Sequence, residues 1–181
     1  MQNILDKNGA FSSVYPCTEY LTFGPWIYLV PQYKPESILI LGFAGGTVAG
    51  LIRKLYGNDI PITAVDIEKF DNDFDKEYNV RLIINDANDY IKTSPKFDAV
   101  IIDLYDSGPQ PPDFVFTKEF VSDLEKKANY VVLHVVDGAD ISAYSHLHKV
   151  KTLSLNKSRF HYFMINRIAR LPIRWISYYI Y

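Results

Sequence analysis

The sequence predicts an α/β fold with helices on both faces of a mostly parallel, seven-stranded sheet and a C-terminal antiparallel hairpin. Three observations lead to this prediction. Short, nearly continuous apolar runs recur along the chain, as in strands that are buried on both faces. Polar or amphipathic stretches separate these runs and supply the crossover helices. In the last third, two runs flank a tight polar turn, which is the pattern of a hairpin.

Local patterns predict the individual elements. Residues 47–57 carry apolar side chains at three- and four-residue spacing and end at Gly57, which indicates a helix with a glycine stop. A second amphipathic helix is predicted over 116–128, with Thr117 at its start. The predicted strands are 37–42, 61–66, 80–86, 97–105, 129–136, 150–156 and 157–167, the last two joined by a turn at 156–158.

Composition bounds the class of protein. The 181 residues fit a single domain, and we expect residues 1–35 to form an N-terminal extension that packs on a core domain of residues 36–181. Hydrophobic residues make up 48% and charged residues 22%, which is typical of a soluble globular protein without a membrane span. The first residues lack the pattern of a secretory signal.

Cys17 is the only cysteine, which excludes a disulfide framework and favours a reducing cytoplasm.

Charge is distributed unevenly along the chain. All 21 acidic residues lie at or before Asp140, and seven basic residues follow it. A basic segment of this kind can bind nucleic acid, but we favour the alternative that these side chains only solvate outer positions of strands. The apolar end, residues 175–181, is expected to pack on the sheet or on another subunit, and we therefore expect a homodimer.

A glycine-rich turn joins the first predicted strand to the first helix. Gly42, Gly45 and Gly46 permit positive φ angles there and let a ligand approach the main chain closely. The start of the helix adds N–H donors and a partial positive charge, which suit a phosphate or a carboxylate. The pattern G-F-A-G-G-T is neither G-x-G-x-x-G nor a P-loop, so a turn required only for helix–sheet packing remains an alternative.

Three consecutive strands of the prediction end in aspartate. Asp66, Asp86 and Asp103 follow the second, third and fourth strands, at the same sheet edge as the glycine turn. Asp66 lies 20 residues beyond Gly46, which suits a carboxylate that accepts hydrogen bonds from ribose hydroxyls. Asp86 is also a good candidate for the N-cap of the next helix. We expect at least two of the three aspartates to contact a ligand.

The same segments resemble the class I S-adenosylmethionine-dependent methyltransferases, and within them the spermidine synthases. "ILILGFAGG" is similar to the "LIIGGGDGG" turn of that family, "AVDIE" to its "VEID", and "NDANDYI" to its "GDAxxFL". "DAVIIDLYDSGPQPPDFVFTKEF" resembles "DVIIxDxxDPxGPxxxLFTxEF" and is the most specific of these matches. The resemblance covers about residues 36 to 136. It implies a Rossmann-like methyltransferase fold that binds S-adenosylmethionine or decarboxylated S-adenosylmethionine, without a metal.

The resemblance also implies roles for particular residues. The glycine turn would hold the amino-acid end of the cofactor, Asp66 the ribose, and Asp86 with Ala87 the adenine. Asp103 would occupy the position of the general base, and Tyr105 and Asp106 would line the acceptor pocket. The implied cofactor-binding residues are Gly42, Phe43, Ala44, Gly45, Gly46, Asp66, Ile67, Asp86, Ala87 and Asp103.

Several departures from the family pattern bear on the reaction. Gly45 stands where the family carries an acid, and the loop after Asp103 has one residue fewer before Gly-Pro. Only about 35 residues precede the first predicted strand, so we expect the chain to lack the family's N-terminal β-domain. The sequence therefore favours methyl transfer to an unidentified small-molecule acceptor. Aminopropyl transfer to a polyamine and a non-catalytic binding protein of the same fold remain alternatives.

Other enzyme classes fit the sequence less well. A nicotinamide-dependent enzyme would need G-x-G-x-x-G, and Ser107 has no G-x-S-x-G surroundings that would indicate a hydrolase. The four histidines, His134, His146, His148 and His161, form no convincing metal-binding pattern with nearby acids.

Overall fold

The computed structural model describes most of the core and parts of both ends of the chain. The described residues are 2–5, 11–15, 25–70, 73–105, 111–136, 140–145, 150–154 and 175–180. The strands are β1 (Gln2–Leu5), β2 (Phe11–Tyr15), β3 (Ile38–Leu41), β4 (Ile62–Asp66), β5 (Val80–Ile84), β6 (Phe97–Ile102), β7 (Ala128–Val136), β8 (Val150–Ser154) and β9 (Trp175–Ile180). The α-helices are α1 (Thr47–Tyr56), α2 (Phe74–Glu77), α3 (Ala87–Thr93) and α4 (Lys118–Lys127), and 3-10 helices span Pro25–Leu29, Asp113–Phe116 and Ser142–Tyr144.

The predicted α/β architecture is confirmed. Seven strands form one sheet in the order β5-β4-β3-β6-β7-β9-β8, while β1 and β2 pair separately and antiparallel. Strands β3 to β7 are parallel, and β9 runs antiparallel to both of its neighbours. The strand order reverses between β3 and β6, so the crevice beyond the carboxyl ends of these two strands is the expected ligand position in such a sheet.

The C-terminal end of the sheet is an antiparallel pair of strands, as predicted, but the second strand of the predicted hairpin lies outside the described residues. Strand β8 begins at residue 150 as predicted, but its antiparallel partner within the described residues is β9, with Val150 opposite Ile180 and Ser154 opposite Ile176. The turn at 156–158 and the strand predicted at 157–167 lie outside the described residues. Residues 175–180 of the apolar end form β9, which inserts between β7 and β8, and packing of this end on another subunit stays a prediction. Its aromatic and β-branched sequence, WISYYI, suits a strand.

Two apolar cores cover the two faces of the sheet. Alternate residues of β3 divide between them: Ile38 and Ile40 pack on the side of α1, and Leu39 and Leu41 on the side of α3 and α4. Trp26, Leu29 and Val30, in and after the first 3-10 helix, join the α1 core. These three residues lie within the segment predicted as an N-terminal extension, and the division of the chain into that extension and a core domain stays a prediction.

Both predicted helix boundaries are confirmed. Helix α1 ends at Gly57, whose φ of 83° is a conformation that glycine readily adopts. Helix α4 begins after Thr117, whose side-chain hydroxyl accepts a hydrogen bond from the N–H of Phe120 at 3.3 Å.

Arg53 fixes the carboxyl end of α1 to the rest of the domain. Its buried guanidinium donates to the main-chain carbonyls of Tyr78 at 2.6 Å, Ile60 at 2.7 Å and Asn79 at 2.7 Å, and more weakly to Gly57 at 3.4 Å. Burial lowers the pKa of Arg53, and the negative charge of Asp59 opposes that shift. These contacts hold α1, and with it the glycine turn at its start, against the loops that precede β4 and β5.

Candidate functional site

The glycine turn lies directly against the end of β6. Gly42 has a φ of 91°, and a Cβ atom at this position would lie only 2.3 Å from the carbonyl oxygen of Asp103. The main chain is also joined across the strand ends, because the N–H of Gly42 donates to Val65 and that of Asp103 donates to Leu41, each at 2.9 Å. Glycine is therefore required at position 42 both for its backbone conformation and for this close approach.

The side chain of Phe43 packs against the rest of the glycine turn. The ring of Phe43 is buried, and a Cβ atom at Gly46, where φ is 74°, would lie 2.8 Å from it. Ala44 also has a positive φ, of 47°, and Gly45 is buried within the turn. Phe43 can therefore meet a ligand only through its main chain, because its side chain belongs to the core.

Asp66 bonds to the glycine turn itself. Its Oδ2 accepts hydrogen bonds from the N–H groups of Phe43 at 2.8 Å and Ala44 at 2.9 Å, and its Oδ1 accepts one from the N–H of Glu68 at 3.2 Å. The sequence analysis assigns these turn donors and this carboxylate to two different parts of a ligand. The structure instead joins them to each other, which leaves Oδ1 with capacity for one further hydrogen bond.

Asp86 serves as the N-cap of α3, which is the alternative that its sequence position allows. Its Oδ1 accepts hydrogen bonds from the N–H groups of Asn88 at 2.8 Å and Asp89 at 3.2 Å. The Asp86 side chain is exposed, whereas Ala87 is buried in the core on the side of α3 and α4. A role of these two residues in binding adenine stays a prediction.

Two isoleucines expose apolar surface beside Asp66. Ile67 follows Asp66 directly and is 62% exposed, and Ile84, at the end of β5, is 51% exposed. Ile84 is the register partner of Asp66 in the parallel ladder. Single exposed apolar residues are common on proteins, but these two flank a carboxylate at the edge where a parallel sheet binds its ligand. Sequence analysis includes Ile67 in the site but not Ile84, because an isoleucine that ends a strand usually belongs to the core.

Asp103 forms a buried pair with a histidine that the sequence analysis does not select. The Nδ1 atom of His134, on β7, lies 2.6 Å from Oδ1 of Asp103, and their side chains are 2% and 13% exposed. Strands β6 and β7 are parallel neighbours, with Ile102 of β6 opposite Leu133 of β7. Asp103 and His134, the next residue after each of these, therefore lie beside each other. An isolated histidine within "NYVVLHVV" gives no local signal of this contact, because its partner is 31 residues away.

Tyr105 completes this cluster. Its ring stands edge-on to the His134 imidazole, with centroids 5.3 Å apart and planes at 76°. The ring is partly exposed, but the hydroxyl oxygen is buried. Burial, followed by the charge of Asp103, raises the pKa of Tyr105 well above its ordinary value, so the phenol stays neutral and is unsuited to act as a base. Asp106, the other predicted pocket residue, lies outside the described residues.

The described residues contain neither a cluster of three or more histidine, cysteine or acidic side chains that could hold a metal ion, nor a helix with the length and hydrophobicity that crossing a bilayer requires.

Comparison with known proteins identifies relatives of one kind. No family model matches the chain. A polyamine aminopropyltransferase of Sulfurisphaera tokodaii is 36% identical over 115 residues, which cover 55% of this chain and 38% of the relative. A polyamine aminopropyltransferase of Vibrio vulnificus is 30% identical over 136 residues, which cover 69% of this chain and 42% of the relative. The chain thus spans about two fifths of the length of these curated relatives.

Solved structures with similar architecture include two kinds of transferase. A probable spermidine synthase from Corynebacterium glutamicum superposes with a TM-score of 0.56 at 14% identity, over 97% of this chain and 66% of that one. A SAM-dependent methyltransferase from Aquifex aeolicus superposes with a TM-score of 0.52 at 10% identity, over 90% and 92% of the two chains. At these identities the structures establish the fold alone. The chain therefore has a fold similar to that of these two transferases, and in sequence it is similar to part of the polyamine aminopropyltransferases.

Proposed function

We propose that the chain binds an adenosyl sulfonium donor beyond the carboxyl ends of β3, β4 and β6 and transfers its aminopropyl group to an amine. The donor would be decarboxylated S-adenosylmethionine and the acceptor a small polyamine. The names of the sequence relatives support this class of reaction. The observation that carries the choice of donor is the pair of hydrogen bonds from the turn N–H groups to Asp66, at 2.8 and 2.9 Å.

These hydrogen bonds bear on the donor because of charge. S-adenosylmethionine ends in an amino acid, whose carboxylate would need N–H donors at the glycine turn. Two of those donors already serve the Asp66 carboxylate, and a second carboxylate beside it would be repelled by about 1 to 4 kcal/mol, depending on solvent exposure. The decarboxylated donor carries only an ammonium at that end, which the Asp66 carboxylate attracts.

The residues at the strand ends fit a nucleoside. Exposed Ile67 and Ile84 offer apolar surface of the kind on which a purine packs, and Asp66 retains one acceptor site on Oδ1 for a ribose hydroxyl. Both features adjoin the turn that Asp66 bonds. They support adenosine as the part of the donor that this edge would recognise.

Asp103 is suited to receive the acceptor amine. An amine is an ammonium ion at neutral pH, so it must lose one proton before it acts as a nucleophile. The Asp103 carboxylate can both attract this cation and take the proton, since its side chain is 13% exposed at the strand end. The bound donor would supply an electrophilic carbon, on which an N–C bond forms as the C–S bond breaks and its electron pair stays on sulfur. The protein contributes orientation and the exclusion of water.

Methyl transfer is the second candidate, and one observation favours it. Aligned letter by letter, the spermidine synthase turn "LIIGGGDGG" has its acid at Ala44 and not at Gly45 as predicted, so this chain lacks one charge that would hold the aminopropyl ammonium. We also propose a cytoplasmic location and a homodimer, whichever of the two groups is transferred. They are supported by the single cysteine and by the tyrosine-rich C-terminal segment.

Calorimetric titration tests the choice of donor. The full chain would be titrated in parallel with S-adenosylmethionine, its decarboxylated form, S-adenosylhomocysteine and NAD, followed by turnover assays with a series of diamines. We expect the decarboxylated donor to bind about tenfold more tightly than S-adenosylmethionine, from a repulsion of about 1.4 kcal/mol. Tighter binding of S-adenosylmethionine would favour methyl transfer, and binding of none of the four would favour a non-catalytic protein.

Asp66→Asn is the informative variant. An asparagine keeps an acceptor oxygen for the turn N–H groups but removes the charge, so the preference for the decarboxylated donor should shrink. Asp89→Asn is the matched control, because Asp89 is exposed and, among the residues that the structure describes, its carboxylate bonds only Lys92, at 3.0 Å. An unchanged preference in Asp66→Asn would contradict the argument from charge.

A further inference from the structure

The buried histidine beside Asp103 has no part in the function proposed so far. His134 lies on the α1 face of β7, among residues that are apolar or aromatic, such as Tyr130 and Val132. An imidazole in such surroundings costs free energy unless a partner satisfies it. The carboxylate of Asp103, 2.6 Å from Nδ1, is that partner.

The role of Asp103 as a base determines the direction of this hydrogen bond. As a base, Asp103 must be ionised, and an ionised carboxylate can only accept, so in this role Nδ1 of His134 would carry the hydrogen and donate it to Oδ1 of Asp103, 2.6 Å away. Oδ2 is then the atom through which Asp103 can act on a ligand. The side chain of Asp103 is 13% exposed and that of His134 only 2%, so the imidazole lies behind the carboxylate and reaches a ligand only through it.

The pair is held from two further sides. The ring of Tyr105 stands edge-on to the imidazole, with centroids 5.3 Å apart, which restricts rotation of His134. The main chain of Asp103 is fixed by Gly42, where no Cβ atom would fit against the Asp103 carbonyl oxygen. Both the backbone and one side-chain oxygen of Asp103 are thus immobilised, and its other oxygen keeps one orientation.

We infer that His134 is a positioning residue that orients the Asp103 carboxylate so that Oδ2 receives the proton of the acceptor. This inference rests on the proposed function, in which Asp103 takes that proton. The acceptor ammonium gives one proton to Oδ2, and the nitrogen lone pair thereby released forms the N–C bond. The C–S bond of the sulfonium donor breaks with its electron pair on sulfur, the product leaves as a protonated secondary amine, and Asp103 returns its proton to water.

Two substitutions of His134 separate positioning from packing. His134→Asn places an amide N–H near the position of Nδ1, whereas His134→Leu fills similar volume without a donor. We expect His134→Leu to lower kcat by about 10- to 100-fold with the KM for the donor nearly unchanged, because a displaced catalytic group costs rate more than ground-state binding. His134→Asn should recover most of that loss. Thermal unfolding of both variants verifies that they fold, and equal loss in both, or loss in neither, would overturn the inference.

A second measurement does not depend on turnover. The nitrogen-15 chemical shifts of the His134 ring in the full chain report which nitrogen carries the hydrogen. We expect the Nδ1–H form in the wild type and its loss in Asp103→Ala. An Nε2–H form in the wild type would overturn the inference while leaving the proposed function intact. A wild type that turns over no amine with either donor would overturn the proposed function, and with it the catalytic role of the pair.

Discussion

Replacement of Gly42 by alanine tests the packing of the glycine turn against β6. The added Cβ atom would lie 2.3 Å from the carbonyl oxygen and 2.8 Å from the carbonyl carbon of Asp103, both of which are main-chain atoms that cannot rotate away. Its φ of 91° adds strain for any residue with a side chain. We expect a backbone-strain cost of about 1–3 kcal/mol and an overpacking cost of about 1–3 kcal/mol.

Gly57 supplies a matched control for this substitution. Its φ is 83°, but a Cβ atom there would meet nothing within 4 Å. Gly57→Ala should therefore lose only the strain part of the free energy of unfolding, measured by urea denaturation at constant m-value. Donor binding should weaken in Gly42→Ala alone, because only that variant displaces Asp103. Equal destabilisation by both substitutions, or full donor affinity in Gly42→Ala, would refute the reasoning.

Three further predictions concern stability. Arg53→Met should lower the free energy of unfolding by about 2–4 kcal/mol, because buried carbonyls lose their donor, whereas exposed Lys54→Met should change it by less than about 0.5 kcal/mol; equal effects would contradict the role of Arg53. Thr117→Ala should lower the free energy of unfolding by about 1 kcal/mol through loss of the helix cap. Urea denaturation measures this loss, and an unchanged free energy of unfolding would contradict the role of Thr117 as a cap. The pKa of Tyr105 is higher in the folded state than in the unfolded chain, so above about pH 10 the unfolded chain ionises first. The contribution of Tyr105 to the free energy of unfolding is therefore complete below that pH and lost as the pH rises further. Tyr105→Phe should therefore flatten the alkaline fall in stability, and an unchanged fall would contradict this assignment.

The elements that depend on local sequence could be predicted, and those that depend on distant contacts could not. Thr117 and Gly57 delimit their helices through contacts within a few residues, so a single sequence contains the signal. The sequence predicts the partner of β8 at 157–167 because adjacent runs usually pair; these residues lie outside the described ones, and within the described residues β8 pairs with β9, which begins at residue 175. No local pattern distinguishes these two pairings.

The candidate site shows the same division. The strand ends at Asp66 and Asp103 follow from the spacing of apolar runs, and the structure brings both beside the glycine turn. The bond of Asp66 to the turn and the contact of His134 with Asp103 depend on side-chain orientation across 22 or more residues. Neither could be derived from residue type, because an aspartate at a strand end is equally suited to a ligand, a cap or a turn.

Competition between the two possible reaction products tests most directly whether Asp66 disfavours a ligand carboxylate. Aminopropyl transfer leaves 5′-methylthioadenosine, which has no charged tail, and methyl transfer leaves S-adenosylhomocysteine, which has a carboxylate. The ratio of their dissociation constants for the full chain is the decisive number. The account predicts that 5′-methylthioadenosine binds about tenfold more tightly, from a repulsion of about 1.4 kcal/mol, whereas tighter binding of S-adenosylhomocysteine would contradict it.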